Sequence, residues 1–74
     1  DYTGAVDALR RLVRDFPFSS YAPYAQMQIA NIQEVELGDK GSAQIEYQRL
    51  IDAYPQSQYA DAARQALVRL RGRQ

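Results

Sequence analysis

The sequence predicts an all-α fold of antiparallel helix hairpins, on the basis of an internal repeat, a helical periodicity and regularly placed helix breakers. A shift of 38 residues aligns the two halves of the 74-residue chain without a gap. Nine positions of the 36-residue overlap (74 minus 38) are identical, and they concentrate near the ends of the predicted helices. Repeats of this length are typical of stacked helix pairs. We therefore predict about four helices in one domain, residues 1–74, with units 1–38 and 39–74.

Apolar residues spaced three and four apart predict one buried stripe on each helix. The four stripes consist, in chain order, of Ala5, Leu9, Leu12, Val13 and Phe16; Ala22, Ala25, Ile29 and Ile32; Ala43, Tyr47, Leu50, Ile51 and Tyr54; and Ala60, Ala63, Leu67 and Leu70. Tyr21 and Tyr59 lie beside these stripes, so we expect both rings in the core. Tyr2 and Tyr24 are predicted to be exposed.

Prolines and small polar residues divide the helices. Pro17 and Pro55 end the first and third helices, because proline lacks an amide hydrogen and restrains the residue before it. Ser19 and Ser57 are then placed to cap the following helices, and Gly38-Asp39 forms a turn with a following cap. The predicted helices span residues 2–16, 20–37, 40–54 and 58–70.

Composition excludes most chemistry. Nine basic and nine acidic residues give zero net charge, which provides no long-range attraction to nucleic acid or anionic lipid. The chain has no cysteine and no histidine, and so lacks thiolate nucleophiles, the common zinc-ligand sets and the usual general base. No apolar run approaches the roughly 20 residues that span a bilayer. We predict no enzymatic activity, no cofactor or metal, and no direct membrane insertion.

One spacing of small, aromatic and apolar residues resembles the tetratricopeptide repeat family. The spacing Ala-x3-Tyr-x2-Leu-x4-Pro occurs at Ala43, Tyr47, Leu50 and Pro55, a related set occurs at Ala5, Leu9, Leu12 and Pro17, and Gly38-Asp39 stands at the family's inter-helix turn. The small residues of this motif let two helices approach closely. The resemblance covers nearly the whole chain and implies a solenoid of helix pairs that binds other proteins.

Two inter-helix segments resemble a bacterial envelope subgroup of that family. They are RLVRDFPFSSYAPYA at 11–25 and RLIDAYPQSQYADAA at 49–63, in which an aromatic-Pro-x-Ser-x-Tyr-Ala pattern links the helices. The Tol–Pal-associated periplasmic protein CpoB (YbgF) and the outer-membrane assembly lipoprotein BamD carry similar repeats. This likeness implies a periplasmic or outer-membrane-associated location, with the cytoplasm left open.

The chain departs from the family pattern in two ways. The stretch 29–38 is one residue longer than the family's usual helix and lacks its usual glycine and tyrosine. In the family's phasing, residues 1–16 resemble a second helix and residues 58–74 a first helix. Fewer than three repeats rarely stand alone. We therefore expect a fragment of a longer array, a self-associating piece, or a subunit held in a larger assembly.

The resemblance implies a concave groove lined by the first helix of each repeat. Carried over residue by residue, it gives the candidate partner-binding residues Tyr24, Met27, Asn31, Glu34, Ala62, Gln65 and Arg69. The alternative for Met27 is packing under a neighbouring helix. Ile45 is a further candidate, because it lies on the polar face of the third helix where the repeat equivalent is Asp7.

We therefore predict a scaffold that binds a peptide or helix of a partner in the groove. The alternative is a structural, self-associating subunit that packs through Ile45 and the end helices. An RNA-binding helical repeat is a third hypothesis, and the zero net charge argues against it.

Overall fold

A computed structural model describes residues 1–72, which form four α-helices and no strand. The helices are α1 (Tyr2–Asp15), α2 (Ala22–Asn31), α3 (Lys40–Ala53) and α4 (Gln58–Arg71), and α2 continues directly into a π-helix, Ile32–Glu36. When α2 and the π-helix are counted as one helix, each boundary lies within about two residues of its predicted position. The predicted all-α helix-hairpin fold is confirmed.

Of the four described helices, α1, α3 and α4 begin with a side chain that caps the first turn. Ser57 caps α4 by accepting a hydrogen bond from the Tyr59 backbone, and Asp39 caps α3 in the same way, as predicted. Ser19 accepts the equivalent bond from the Tyr21 backbone, but α2 begins only at Ala22. The prediction that Ser19 caps α2 directly is therefore wrong, since Ser19 closes a turn that precedes the helix.

The core lies where α2, α3 and α4 meet. Helix α3 packs against both α2 and α4, and α2 also contacts α4. The predicted stripes of these three helices supply the buried residues Ala22, Ala25, Ile29, Ala43, Tyr47, Leu50, Ala60, Ala63, Leu67 and Leu70. Alanines at the crossing points let the helix axes approach closely. The three stripes are confirmed at these positions, whereas Ile32, Ile51 and Tyr54 of the same stripes are half-buried. Ala30 and Ala66 add a second buried strip that the pattern missed.

Helix α1 is only partly covered, because it packs against α2 and the π-helix and reaches α3 only through the Arg10 side chain. Its one fully buried side chain is Val6, which the predicted stripe did not include. Leu9 and Leu12 are half-buried, and Phe16 is 64% exposed. The expectation that Phe16 lies in the core is wrong, because no described element covers this side of α1.

Three tyrosines form a small cluster at the beginning of α2. The Tyr24 ring lies between those of Tyr21 and Tyr59, with centroid distances of 5.3 Å and 5.5 Å. Tyr21 is 48% exposed, whereas Tyr24 is half-buried. Both predictions are therefore wrong: Tyr24 takes the inner position, and Tyr21 packs on it from outside.

The π-helix takes up the additional residue that the sequence shows between 29 and 38. The Leu37 amide donates to the Ile32 carbonyl five residues earlier, at 3.0 Å. Gly38 follows with φ of +65°, a conformation that glycine adopts without steric cost. The wider turn therefore ends in a normal glycine turn, and α3 starts on the predicted residue.

Candidate protein-binding surface

Five of the predicted partner-binding residues line one shallow depression between α2 and α4, here called the α2/α4 surface. Met27 and Asn31 come from α2, and Ala62, Gln65 and Arg69 come from α4. The lining is completed by Ala66 and Tyr47. Residues four apart on a helix share a face, so each helix contributes one row of side chains to the depression.

Glu34 lies beside this depression and joins its two walls. The Arg69 guanidinium donates two hydrogen bonds to the Glu34 carboxylate, at 2.5 Å and 3.1 Å. The Tyr47 hydroxyl, from α3, lies 2.8 Å from Glu34 Oε1 and 2.9 Å from Asn31 Oδ1, and donates its single proton to one of these oxygens at a time. The cluster therefore links α2, the π-helix, α3 and α4.

The electrostatics of the cluster follow from these contacts. Hydrogen bonds from Arg69 lower the pKa of Glu34; partial burial opposes this shift, and the Tyr47 hydroxyl reinforces it. Burial, together with the adjacent Glu34 carboxylate, raises the pKa of Tyr47. At neutral pH the cluster is therefore a carboxylate–guanidinium pair with a protonated phenol. Bidentate pairing of this kind fixes geometry as well as charge.

Pairing between Glu34 and Arg69 decides what the α2/α4 surface offers to a partner. The Glu34 side chain is only 11% exposed, whereas half of the Arg69 side chain is exposed. The two charges neutralise each other locally. What reaches the surface is the Arg69 edge, the amides of Asn31 and Gln65, and the side of Met27.

Met27 combines the two predicted alternatives for its side chain. It is half-buried and packs against the core cluster, and it also lines the depression. One side of the Met27 side chain is therefore held by the core, and the other side forms an apolar patch in an otherwise polar surface. A flexible, polarizable side chain suits contact with varied partners.

Two of the predicted residues lie apart from this depression. Tyr24 sits in the tyrosine cluster on α2, ten residues before Glu34 and outside the lining of the depression. Ile45 is 57% exposed on α3, in a separate depression lined also by Gly41, Gln48 and Arg71. The structure thus divides the predicted site among three places, of which the α2/α4 surface holds the largest part.

Sequence reasoning missed a buried polar network between α1, α2 and α3. Glu46 is 3% exposed and pairs with Arg10 at 2.6 Å. Gln26 is 6% exposed, and its amide donates to both the side chain and the backbone carbonyl of Glu46, at 2.9 Å and 3.0 Å. Neither residue interrupts an apolar stripe, so the periodicity carried no signal for their burial.

Residues 24–57 match the family model of the tetratricopeptide repeat. This stretch holds α2, the π-helix and α3, and its 34 residues are the length of one such repeat. Together with the helix-hairpin fold, the match supports the tetratricopeptide family, whose repeats bind other proteins and are not catalytic. No curated protein and no solved structure matches the chain.

Residues 1–72 hold neither a membrane-spanning helix nor a cluster of metal ligands. None of the described helices is long and apolar enough to cross a membrane. Within the same residues, no group of three acidic, histidine or cysteine side chains is arranged to hold a metal ion.

Proposed function

We propose that this chain binds a peptide or a helix of a partner protein on the α2/α4 surface. The observation that carries the proposal is the convergence of Met27, Asn31, Gln65 and Arg69 on one depression, over a framework fixed by the Glu34–Arg69 pair. A surface held in place before binding loses little conformational entropy when a partner docks.

The chemistry of the depression favours a partner with exposed backbone or amide groups. Asn31 and Gln65 each offer an amide donor and acceptor, which suit the peptide groups of an extended segment or the end of a helix. Met27 and Ala62 provide the apolar contact. Since Glu34 neutralises Arg69, the surface selects by shape and hydrogen bonding more than by net charge.

Selection from a random peptide library, followed by titration, tests this proposal. Peptides that bind the wild-type chain are expected to lose at least about tenfold in affinity to a Met27→Glu, Asn31→Ala variant, because a charge replaces the apolar contact and an amide is lost. The matched control is Ile45→Glu, which changes an exposed residue outside the depression. Peptides that bind all three proteins equally would refute the assignment of the surface.

A second candidate function is that of a structural subunit that packs through the surface around Ile45. A 57% exposed isoleucine beside the depression formed with Gly41 and Arg71 favours it. In that case the chain forms a dimer or larger assembly in solution, and Ile45→Glu returns it to a monomer. A wild-type chain that stays monomeric at high concentration would rule out self-association through Ile45.

We also propose a role in the bacterial cell envelope, in outer-membrane assembly or maintenance. Its support is the likeness of segments 11–25 and 49–63 to envelope proteins of the family. Fractionation of cells that express the natural gene, with antibody detection of the chain, tests the location. Recovery in the cytoplasmic fraction alone would contradict this proposal and leave the proposed binding surface unaffected.

A further inference from the structure

Helices α1 and α3 enclose a second depression, here called the α1/α3 depression. The two helices do not pack on each other, and Gln26 of α2 lies in the gap between them. Side chains bridge this gap at both ends. Arg10 pairs with Glu46 at 2.6 Å at one end, and the Tyr54 hydroxyl donates to the Pro17 carbonyl at 2.7 Å at the other. Described residues therefore form the walls, the floor and both ends, inside the helix stack.

The end of the depression near Arg10 is rich in arginine. Its lining consists of Arg10, Val13, Arg14, Gln26 and Arg49. Arg10 and Arg49 both pair with the buried Glu46 carboxylate, at 2.6 Å and 3.5 Å. Arg14 pairs with the adjacent Asp15 at 3.0 Å. In the described part of the chain, each guanidinium makes these contacts through one nitrogen, although it carries five N–H donors. Donors therefore remain for a further acceptor.

The other end of the same depression is apolar. Its lining consists of Val13, Pro17, Gln26, Arg49, Asp52, Ala53 and Tyr54. Val13 and Arg49 belong to the lining of both ends, so the two ends are continuous. Asp52 is the acidic residue here, and it accepts a hydrogen bond from Gln48. A second negative charge is therefore disfavoured at this end, whereas an apolar side chain would contact Val13 and Ala53.

The shape of the depression favours a protein segment over a small molecule. Sites for small molecules bury most of the surface of their ligand. The α1/α3 depression is instead open to solvent along its length, and Arg14, Arg49 and Ala53 in its lining are exposed. A peptide can extend beyond the depression and add contacts along both helices. The charges then set its direction, with a carboxylate at the arginine end and an apolar group at the other.

We infer that the α1/α3 depression binds a peptide segment of a partner protein that carries an acidic side chain close to an apolar one. The carboxylate lies between Arg14 and Arg49, whose guanidinium groups can bind it in a bidentate manner. The apolar side chain lies against Val13 and Ala53. The exposed pair of Arg14 with Asp15 contributes little, so exchanging it for the carboxylate of the partner is feasible.

This site is separate from the α2/α4 surface. The two depressions share no lining residue, and the inference does not depend on the function proposed for the α2/α4 surface. Binding at one of them can therefore be abolished by substitutions that leave the other intact.

Capped and labelled synthetic peptides, titrated with the complete chain and followed by fluorescence anisotropy, test the inference. Each peptide carries one Glu and one Phe in a Ser–Ala background, with the pair set at several spacings, and a control series has Gln in place of Glu. At least one Glu peptide is expected to bind. Its Gln counterpart should bind at least about tenfold more weakly, because charge-assisted hydrogen bonds are lost. The double variant Arg14→Gln, Arg49→Gln should weaken binding of the Glu peptide to the same extent.

Matched variants separate this depression from general charge effects and from the other surface. Arg11→Gln removes the same charge from an exposed residue of α1 outside the lining, so it should leave binding unchanged. Met27→Glu, in the α2/α4 surface, should also leave it unchanged. The Arg14 side chain is 69% exposed, so Arg14→Gln alone should keep the melting temperature of the wild type and still lower the affinity.

Several results would overturn the inference. They are the absence of binding by every Glu peptide, equal binding of the Gln series, and an equal loss of affinity in Arg11→Gln. Loss of binding in Met27→Glu, with the arginine variants unaffected, would place the peptide on the α2/α4 surface and so support the function proposed above instead. Binding of 3-phenylpropanoate as tightly as the best peptide would overturn the assignment to a protein partner, in favour of a small carboxylate.

Discussion

At the scale of single residues, buried polar groups join the helices more specifically than the alanine-rich core does. Glu46 is almost fully buried, yet its side-chain oxygens lie within reach of Arg10, Gln26 and Arg49. Breaking a buried pair by removing one partner is costly, because the remaining groups stay desolvated without their hydrogen bonds. This single side chain therefore holds three helices in register.

Glu46→Ala should lower the free energy of unfolding by about 2–4 kcal/mol, since it leaves Arg10 without a partner and removes a hydrogen bond from Gln26. Urea denaturation followed by circular dichroism measures the change. The matched control is Arg64→Ala, which breaks an exposed pair with Asp61 and should cost at most about 1 kcal/mol. Equal losses in the two variants would mean that the Glu46 network adds nothing beyond a surface pair.

The Glu34–Arg69 pair gives stability a defined dependence on pH. Arg69 holds the pKa of Glu34 below its ordinary value of 4.5, so the folded chain favours the carboxylate more than the unfolded chain does. The stabilisation is present above that value and is lost as pH falls through the folded-state pKa.

The difference in unfolding free energy between the wild type and Arg69→Gln should therefore be largest near neutral pH and shrink below about pH 4.5. Urea titrations at several pH values between 7 and about 3 test this. Glu34→Gln is the control, because it removes the titrating group and should flatten the same part of the profile. A difference that stays constant down to the lowest pH would contradict the role of this pair.

Not all of this residue-scale detail could be predicted from the sequence. The family resemblance implied that Met27, Asn31, Gln65 and Arg69 share one surface, and all four line the same depression. The pairing of Glu34 with Arg69 could not be predicted, since it joins residues 35 positions apart whose approach depends on how α4 packs on α2. Burial of Glu46 was missed because its partners lie on other helices.

At the scale of elements, the turn between the π-helix and α3 depends on one glycine conformation. Gly38 has a φ of +65°, whereas Gly41 lies inside the first turn of α3 with no positive φ. A Cβ on Gly41 would make only an ordinary contact with Asp39, at 3.7 Å. The two glycines therefore have different roles although they are three residues apart.

Gly38→Ala should destabilise the chain by about 1 kcal/mol, because an L-residue is strained at this φ. Gly41→Ala should instead stabilise it by about 0.5–1 kcal/mol through helix propensity. Thermal unfolding of both variants, compared with the wild type, shows whether Gly38→Ala lowers the melting temperature and Gly41→Ala raises it. Two changes of the same sign would mean that the left-handed turn is not maintained in solution.

The π-helix is an element that could not be predicted from the sequence, although the additional residue that it takes up was recognised. An additional residue between 29 and 38 was recognised by its length, but length alone does not say whether a loop, a bulge or a wider turn takes it up. The structure uses five residues of π-helix, and Asn31 and Glu34 both lie beside the Tyr47 hydroxyl. Such turns often lie at functional sites.

At the scale of the whole molecule, the chain is a slab 13 Å thick in its Cα trace, so its core is about one layer of side chains deep. Coverage then depends on how many neighbours a helix has. Helix α3 lies between α2 and α4, whereas α1 packs against α2 and the π-helix and touches α3 only through Arg10. The stripe prediction succeeded on α2, α3 and α4 and failed at Phe16 of α1, since periodicity marks the apolar side of a helix but not whether a neighbour covers it.

Two leucines at equivalent repeat positions measure how much more completely α3 is covered by its neighbours than α1. Leu50 of α3 is fully buried, and Leu12 of α1 is half-buried. Leu50→Ala should cost about 2–5 kcal/mol, whereas Leu12→Ala should cost clearly less, because part of the Leu12 side chain is already in contact with water. Urea denaturation of the two variants makes the comparison. Equal losses would show that α1 is covered in solution, for instance by a second copy of the chain.

The most direct test of the account is an amide chemical-shift map of the ¹⁵N-labelled chain, titrated with a peptide selected from a random library. The account predicts that the largest shifts fall on Met27, Asn31, Gln65 and Arg69, the residues of the α2/α4 surface. It also predicts small shifts at Ile45 and Val68, which lie outside that surface. Shifts centred on Ile45 or Val68, with the α2/α4 surface unchanged, would contradict the proposed binding surface.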